Sequence, residues 1–215
     1  MKILLTGFNA FKSVRVNPSE QVVRALADPG RRNAKAPIAA QLIAEVLPTE
    51  YAAASRKLRR LIRAVRPDAV LCLGVAAKRD GISLERVALN LDDEATPDNA
   101  GVVRRGRKIV RGGPDVYWST LPLDALHKAL RRRRIAVNVS NHAGTFLCNH
   151  AFYVARHEAA RLRRRIPCGL IHLPRRARGG SPKRHLRIAR LIRAVDCCLA
   201  VLTRSASKPP VRAAQ

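Results

Sequence analysis

Gln41-Leu42-Ile43-Ala44-Glu45-Val46, the stretch from Glu50 to Val65, and Ala69-Val70-Leu71-Cys72-Leu73-Gly74 together decide the fold class. The first and third are short apolar runs of strand length. The middle stretch puts Leu58, Leu61, Ile62 and Val65 on one face at the period of an amphipathic helix. A strand, a helix and a strand in succession are the unit of an α/β layer fold with a mostly parallel or mixed sheet.

The alternation continues outward in both directions. Residues 3–5 read as a buried strand. Asn17-Pro18-Ser19-Glu20 reads as a helix start, with Asn17 as N-cap, Pro18 at the first helical position and Glu20 three residues past the cap. That helix is expected to reach about Ala27, where Asp28-Pro29-Gly30 stops it. Residues 82–90 alternate imperfectly between apolar and polar, as in a half-buried strand. Asp92, Asp93, Glu94 and Asp98, beside Pro97 and Gly101, mark a loop. Then come a short helix over 123–130, a strand over 135–139, and a turn over 141–145 leading into a helix that reaches about Arg164. A strand over 169–173 is closed by Pro174 and followed by a basic loop over 175–180. The last helix begins near Ser181-Pro182 and carries Ile188, Leu191, Ile192, Val195, Leu199 and Leu202 on one stripe. A single domain over 1–203 with a polar tail over 204–215 is expected.

At 215 residues, with 47% hydrophobic and 27% charged, the chain can bury a sizeable core and is not disordered overall. None of its apolar stretches approaches the roughly 20 residues needed to cross a bilayer. Met1-Lys2-Ile3-Leu4-Leu5-Thr6-Gly7 has no small-residue cleavage site and reads as a first strand, not a secretory signal, so a cytoplasmic location without a membrane partner is expected. Cys72, Cys148, Cys168, Cys197 and Cys198 are odd in number and lack CxxC spacing, which supports neither a disulfide scaffold nor a zinc ribbon. Free thiols fit a reducing compartment.

Forty-two Lys and Arg against fifteen Asp and Glu give a net charge of +27, a balance that ordinarily points to nucleic acid, an anionic membrane surface or an acidic substrate. The arginines recur in every expected helix instead of gathering in one module. Aromatic residues are only 4%, too few for stacking platforms, which leaves nucleic acid a partner only through non-specific charge.

Cys148 stands apart among the cysteines because Ala143-Gly144-Thr145 precedes it and a helix opens around it. Unsatisfied N–H groups at a helix start favour a thiolate and can cradle a developing oxyanion. Taken alone, the position reads first as a buried structural thiol, because free Cys is among the most buried residue types. A nucleophilic cysteine needs a base and a group that orients the base. His172, ending the strand over 169–173, is the best placed, because ligand sites in doubly wound sheets gather at the carboxyl ends of strands. His142 and His150 are competing bases, and His157 reads as a surface residue. Glu85, in an apolar strand, needs a partner, and an ion pair with Arg86 or another arginine would serve.

Five segments carry a resemblance. Thr6-Gly7-Phe8 with Phe11 and Asn17-Pro18-Ser19, Glu85-Arg86-Val87-Ala88-Leu89-Asn90, Pro97-Asp98-Asn99-Ala100-Gly101, Val139 through Ala143-Gly144-Thr145-Phe146-Leu147-Cys148-Asn149-His150, and Ile171-His172-Leu173-Pro174 occur in the order found in the pyroglutamyl peptidase I family. The resemblance runs from Met1 to about Leu202. It implies a cysteine omega-peptidase, also called a pyrrolidone carboxyl peptidase, that hydrolyses the amide bond after an N-terminal pyroglutamyl residue. It assigns the catalytic roles to Glu85, Cys148 and His172, and substrate contacts to Phe8, Phe11 and the position of Val75. It further implies a three-layer α/β/α sandwich of the phosphorylase/hydrolase type with a mixed, mostly parallel sheet, no metal or organic cofactor, peptides with N-terminal pyroglutamate as partners, and a homotetramer.

The chain also departs from the family. Where the family reads TGFEPFGG, this chain has Thr6-Gly7-Phe8-Asn9-Ala10-Phe11-Lys12-Ser13. Where it reads GQAGGR, this chain has Gly74-Val75-Ala76-Ala77-Lys78-Arg79, with valine in place of a glutamine. Ala95 stands where the family has an arginine. A relative with altered or lost peptidase activity, acting as a basic polyanion-binding or interaction protein, is the alternative reading at this point.

Overall fold

The computed structural model describes residues 1–11, 16–28, 40–162, 164–174 and 184–206; the basic loop expected over 175–180 and the helix start at Ser181-Pro182 lie outside them. In chain order its elements are β1 Lys2–Phe8, α1 Pro18–Ala27, β2 Gln41–Leu47, α2 Tyr51–Val65, β3 Ala69–Ala76, β4 Ile82–Glu85, β5 Val87–Leu89, β6 Asp92–Glu94, β7 Arg104–Arg107, β8 Val116–Trp118, α3 Leu123–Arg132, β9 Val137–Ser140, α4 Leu147–Ala160, β10 Cys168–Pro174 and α5 Arg184–Ala206.

Six strands form the main sheet in the order β2-β1-β3-β10-β4-β9. β1 is parallel to β2 and β3, and β3 to β10, whereas β4 is antiparallel to β10 and parallel to β9. Strand alternation divides the core in two. Ile3, Leu5, Leu71, Leu73, Ile171 and Leu173 face α1, α3 and α5; Leu4, Phe8, Val70, Cys72, Cys168 and Leu170 face α2 and α4. The result is a three-layer α/β/α sandwich around a mixed, mostly parallel sheet. Among the described residues no helix is long and apolar enough to cross a membrane.

Local chemistry sets the helix ends. The Asn17 side chain accepts a hydrogen bond from the Ser19 N–H at 3.0 Å, Pro18 occupies the first helical position, and Glu20 pairs with Arg24 one turn on at 2.8 Å. α2 ends at Arg66, which takes the left-handed conformation (φ 48°) and returns its N–H to the Ile62 carbonyl.

Four expectations change. Residues 82–90 are not one strand: β4 is buried along its whole length in the main sheet, and after Arg86 the chain leaves as β5 to pair with β8. The imperfect alternation reflects residues that serve two different sheets. The acidic stretch is not a plain loop, because β6 pairs with β7 in a small ladder that matches Asp92 to Arg107 and Glu94 to Arg104. A segment this acidic holds a strand because the buried Asp92 carboxylate is neutralised by Arg104 at 2.7 Å and hydrogen-bonded by His150 at 2.9 Å. Finally, α4 stops at Ala160, where Arg161 and Leu162 turn their N–H groups to carbonyls three residues back. α5, by contrast, runs past Thr203 to Ala206.

Candidate active site

Cys148 is the second residue of α4. Phe146 is its N-cap and offers no side-chain cap, so the first N–H groups of the helix are not taken by one. The chain reaches this point through a turn with Gly144 in the left-handed region (φ 81°). Because β4 and β9 run against the other four strands, it is the segment 141–146, not the end of β9, that carries Cys148 back over β3.

There the thiol meets His172. A Cβ at position 74 would lie 2.8 Å from Cys148 Sγ, 2.8 Å from His172 Cδ2 and 2.9 Å from His172 Nε2, so the two side chains come together directly over Gly74 and are hydrogen-bonded to each other. The other imidazole nitrogen, Nδ1, donates to Glu85 Oε1 at 2.8 Å. Glu85 also pairs with Arg79, whose second nitrogen reaches the His142 carbonyl at 3.3 Å. Glu85 and His172 are buried, while Cys148 is half-buried. Gly74, His172 and Glu85 belong to the face of the sheet covered by α2 and α4. Strand alternation puts Val75 on the opposite face with Leu71 and Leu73, away from Gly74 and His172.

The charges in this group support one another. Burial alone would lower the His172 pKa, but the negative charge and hydrogen bond of Cys148, together with those of Glu85, outweigh it and push it up to about 9. Burial would likewise raise Glu85; the hydrogen bond and positive charge of His172, with Ser140 and Arg79, hold it below the usual carboxylate range. The arrangement favours the charged form of the His172 ring beside the Glu85 carboxylate.

The competing histidines are otherwise engaged. His142 is exposed and its Nδ1 accepts the Gly144 N–H at 3.0 Å. His157 is half-buried, not a surface residue; it contacts the Tyr117 hydroxyl at 3.1 Å and stacks on Tyr153, and burial lowers its pKa. His150 bonds Asp92 through Nδ1 and Ser55 Oγ through Nε2 at 2.6 Å. This second Ser-His-Asp chain lacks an oxyanion site, because Ser55 lies within α2, where backbone N–H groups are spent on the helix; it ties α4 to α2 and β6.

Beside Cys148 lies an aromatic group. Phe11 and Phe146 have ring centroids 5.3 Å apart, and Tyr51 meets Phe146 edge-on at 5.7 Å. Phe8, at the end of β1, is buried on the same face. Phe146 and Tyr51 are not legible as site residues from spacing; the signal for Phe146 is an aromatic side chain in a turn two residues before the cysteine. Ala95 is exposed. Near it, Arg104 reaches from β7 to Asp92 and lies 4.5 Å above the Tyr51 ring. Among the described residues no group of three His, Cys, Asp or Glu side chains could hold a metal ion.

Known proteins share this architecture. The pyroglutamyl peptidase family model matches residues 1–183. The pyrrolidone-carboxylate peptidase of Thermococcus onnurineus is 41% identical over 175 residues, 81% of this chain and 84% of that protein. That of Bacillus licheniformis is 39% identical over 173 residues, 80% and 78% respectively. Among solved structures, pyroglutamyl peptidase I of Bacillus amyloliquefaciens superimposes with a TM-score of 0.83 at 32% identity, covering 97% of this chain and 99% of that one. Pyrrolidone carboxyl peptidase of Pyrococcus furiosus gives 0.84 at 30% identity over 96% and 100%. On the sequence match, the shared three-layer fold and the relatives' coverage, this chain belongs to the pyroglutamyl peptidase family.

Proposed function

We propose that this chain is a cysteine omega-peptidase that hydrolyses the amide bond after an N-terminal pyroglutamyl residue, with Cys148 as nucleophile, His172 as acid and base, and Glu85 as the group that orients and charges the imidazole. The observation that carries this reading is the His172 ring held between Cys148 and Glu85 over Gly74. The thiol proton passes to His172 Nε2 and Sγ attacks the scissile carbonyl carbon. N–H groups at the start of α4 stabilise the oxyanion. His172 returns its proton to the departing amine, leaving an acyl-thioester, and then takes a proton from the water that releases pyroglutamate. No outside redox partner or metal enters these steps. Release of a fluorophore from a pyroglutamyl amide by the purified protein is the test. An inert protein with an intact fold would instead favour the reading as a basic binding protein without peptidase activity.

The lactam ring would occupy the aromatic group beside Cys148, with Phe8 and Phe11 as walls and Phe146 completing it. Such a slot selects by shape and burial, so Phe11→Ala is expected to raise KM about tenfold with a smaller change in kcat. Steady-state kinetics check this, and unchanged constants in both Phe8→Ala and Phe11→Ala would remove the two rings from the site. Val75 is a weaker candidate for substrate contact because of the face it occupies.

The raised pKa of His172 sets a pH dependence. The proton it gives to the leaving amine is present below about pH 9 and is lost as pH rises through that value, so kcat/KM is expected to fall on the alkaline side near 9. Glu85→Gln removes one of the interactions that raise the pKa and should move this limb to lower pH. An alkaline limb that stays in place in Glu85→Gln would separate Glu85 from His172 in function. In its setting the enzyme works in the cytoplasm as a homo-oligomer, a tetramer as in the family pattern, and meets nucleic acid only through non-specific charge.

A further inference from the structure

We propose that the leaving-group side of this site receives acidic side chains, so that the preferred substrates are pyroglutamyl peptides in which the next residue is Asp or Glu; this rests on the peptidase reading above. The polarity of the reaction fixes where that residue lies. The ring of the substrate is directed toward Phe11 and Phe146, and the departing amine must reach His172 to be protonated. The residue that carries the amine therefore sits on the His172 and Glu85 side of Cys148.

That side is rimmed by cations. Arg79 lies on Glu85 and on the His142 carbonyl, and the exposed Lys78 is its neighbour in the turn after β3. Arg86, exposed and immediately after Glu85, holds the Asn141 side-chain oxygen at 3.0 Å. Asn141 and His142 are consecutive, so the two guanidinium groups grip one loop, the loop that leads to Cys148. Their charges differ in availability. Arg79 is spent on the buried Glu85 carboxylate, whereas Arg86 has a neutral amide as partner and Lys78 has no carboxylate partner among the described residues. Asp80, the acid in this turn, lines a cleft with Arg190 and Leu191 on the other side of the sheet edge. A carboxylate on the substrate thus meets Arg86 and Lys78 with their charge unneutralised, and the net charge of +27 draws anionic peptides in.

The test compares kcat/KM for pyroglutamyl-aspartyl, pyroglutamyl-alanyl and pyroglutamyl-lysyl amides at low and high salt. The aspartyl substrate is expected to exceed the alanyl one about tenfold, with the lysyl substrate slowest, because each exposed charge pair contributes a few-fold. Near 1 M salt, where screening acts over about 3 Å, the ratios should shrink toward one. In the double variant Arg86→Gln, Lys78→Gln the aspartyl-to-alanyl ratio should fall to between one and two at low salt. Equal rates for the aspartyl and alanyl substrates in the unaltered enzyme would overturn the inference and leave the peptidase reading standing. A preference that survives the double substitution would overturn the assignment to these two residues. Absence of hydrolysis of all three amides would overturn both readings together.

Discussion

Cys148→Ala is expected to lower turnover of a pyroglutamyl amide by a factor of about ten thousand or more, because removing the nucleophile leaves only binding and oxyanion stabilisation to act on the carbonyl. Cys148→Ser should do nearly as badly, since a hydroxyl is a far poorer nucleophile in a site that holds an imidazolium. The other cysteines make the experiment clean. Cys72, Cys168, Cys197 and Cys198 are buried, and burial pushes the Cys72 thiol up to about 11 and raises Cys168 and Cys198 further. Cys148 is the half-buried member of the set. Brief alkylation should therefore add one label, at Cys148, in step with the loss of activity. Labelling elsewhere with activity retained, or a fully active Cys148→Ser protein, would remove Cys148 from the mechanism.

Gly74→Ala tests the site without replacing any of its reactive groups. The added methyl would approach Cys148 Sγ and His172 Cδ2 to 2.8 Å, closer than real Cβ atoms come. The atoms it meets belong to side chains that can rotate, not to backbone, so the fold can absorb the change by parting the thiol from the imidazole. Losing that alignment is expected to cost about a hundredfold in kcat. The thermal midpoint should move by no more than a few degrees, and thermal unfolding followed alongside activity separates the two effects. An active Gly74→Ala enzyme would show that Cys148 and His172 do not need to meet over this glycine.

The strands and helices that decide the layer order were readable because each is long, periodic and bounded by chemistry that acts locally. Asn17 and Pro18 start α1 by the side-chain bond and the ring geometry that their residue types allow. β3 is a continuous apolar run because both faces of the sheet are covered. What stayed hidden depends on partners far away in sequence. Asp92 tolerates a strand only because Arg104 and His150 arrive to neutralise it, and nothing in the acidic stretch itself announces them. The same holds at the site. The five segments of resemblance identify a family and name Glu85, Cys148 and His172, but the contact of Phe146 with Phe11 and Tyr51 joins parts of the chain far apart in sequence, and of the three only Phe146 carries a local signal. Val75 is a different case: its motif position implies substrate contact, while the alternation of β3 turns its side chain to the face opposite Gly74 and His172.

The place of β10 bears on how the protein comes into being. It is the last strand among the described residues, yet it lies between β3 and β4 and joins Cys168 to Val70 and Ile171 to Leu84. During translation, β2, β1 and β3 can assemble as one ribbon and β4 with β9 as another, but the two remain separate until the final strand threads between them. Closing pairings so distant in sequence is a slow step of folding. His172 travels on that strand, so the thiol of a nascent chain has no base beside it. The mechanism proposed above therefore requires completion of the sheet, because a chain that stops before β10 would hold Cys148 without His172 beside it.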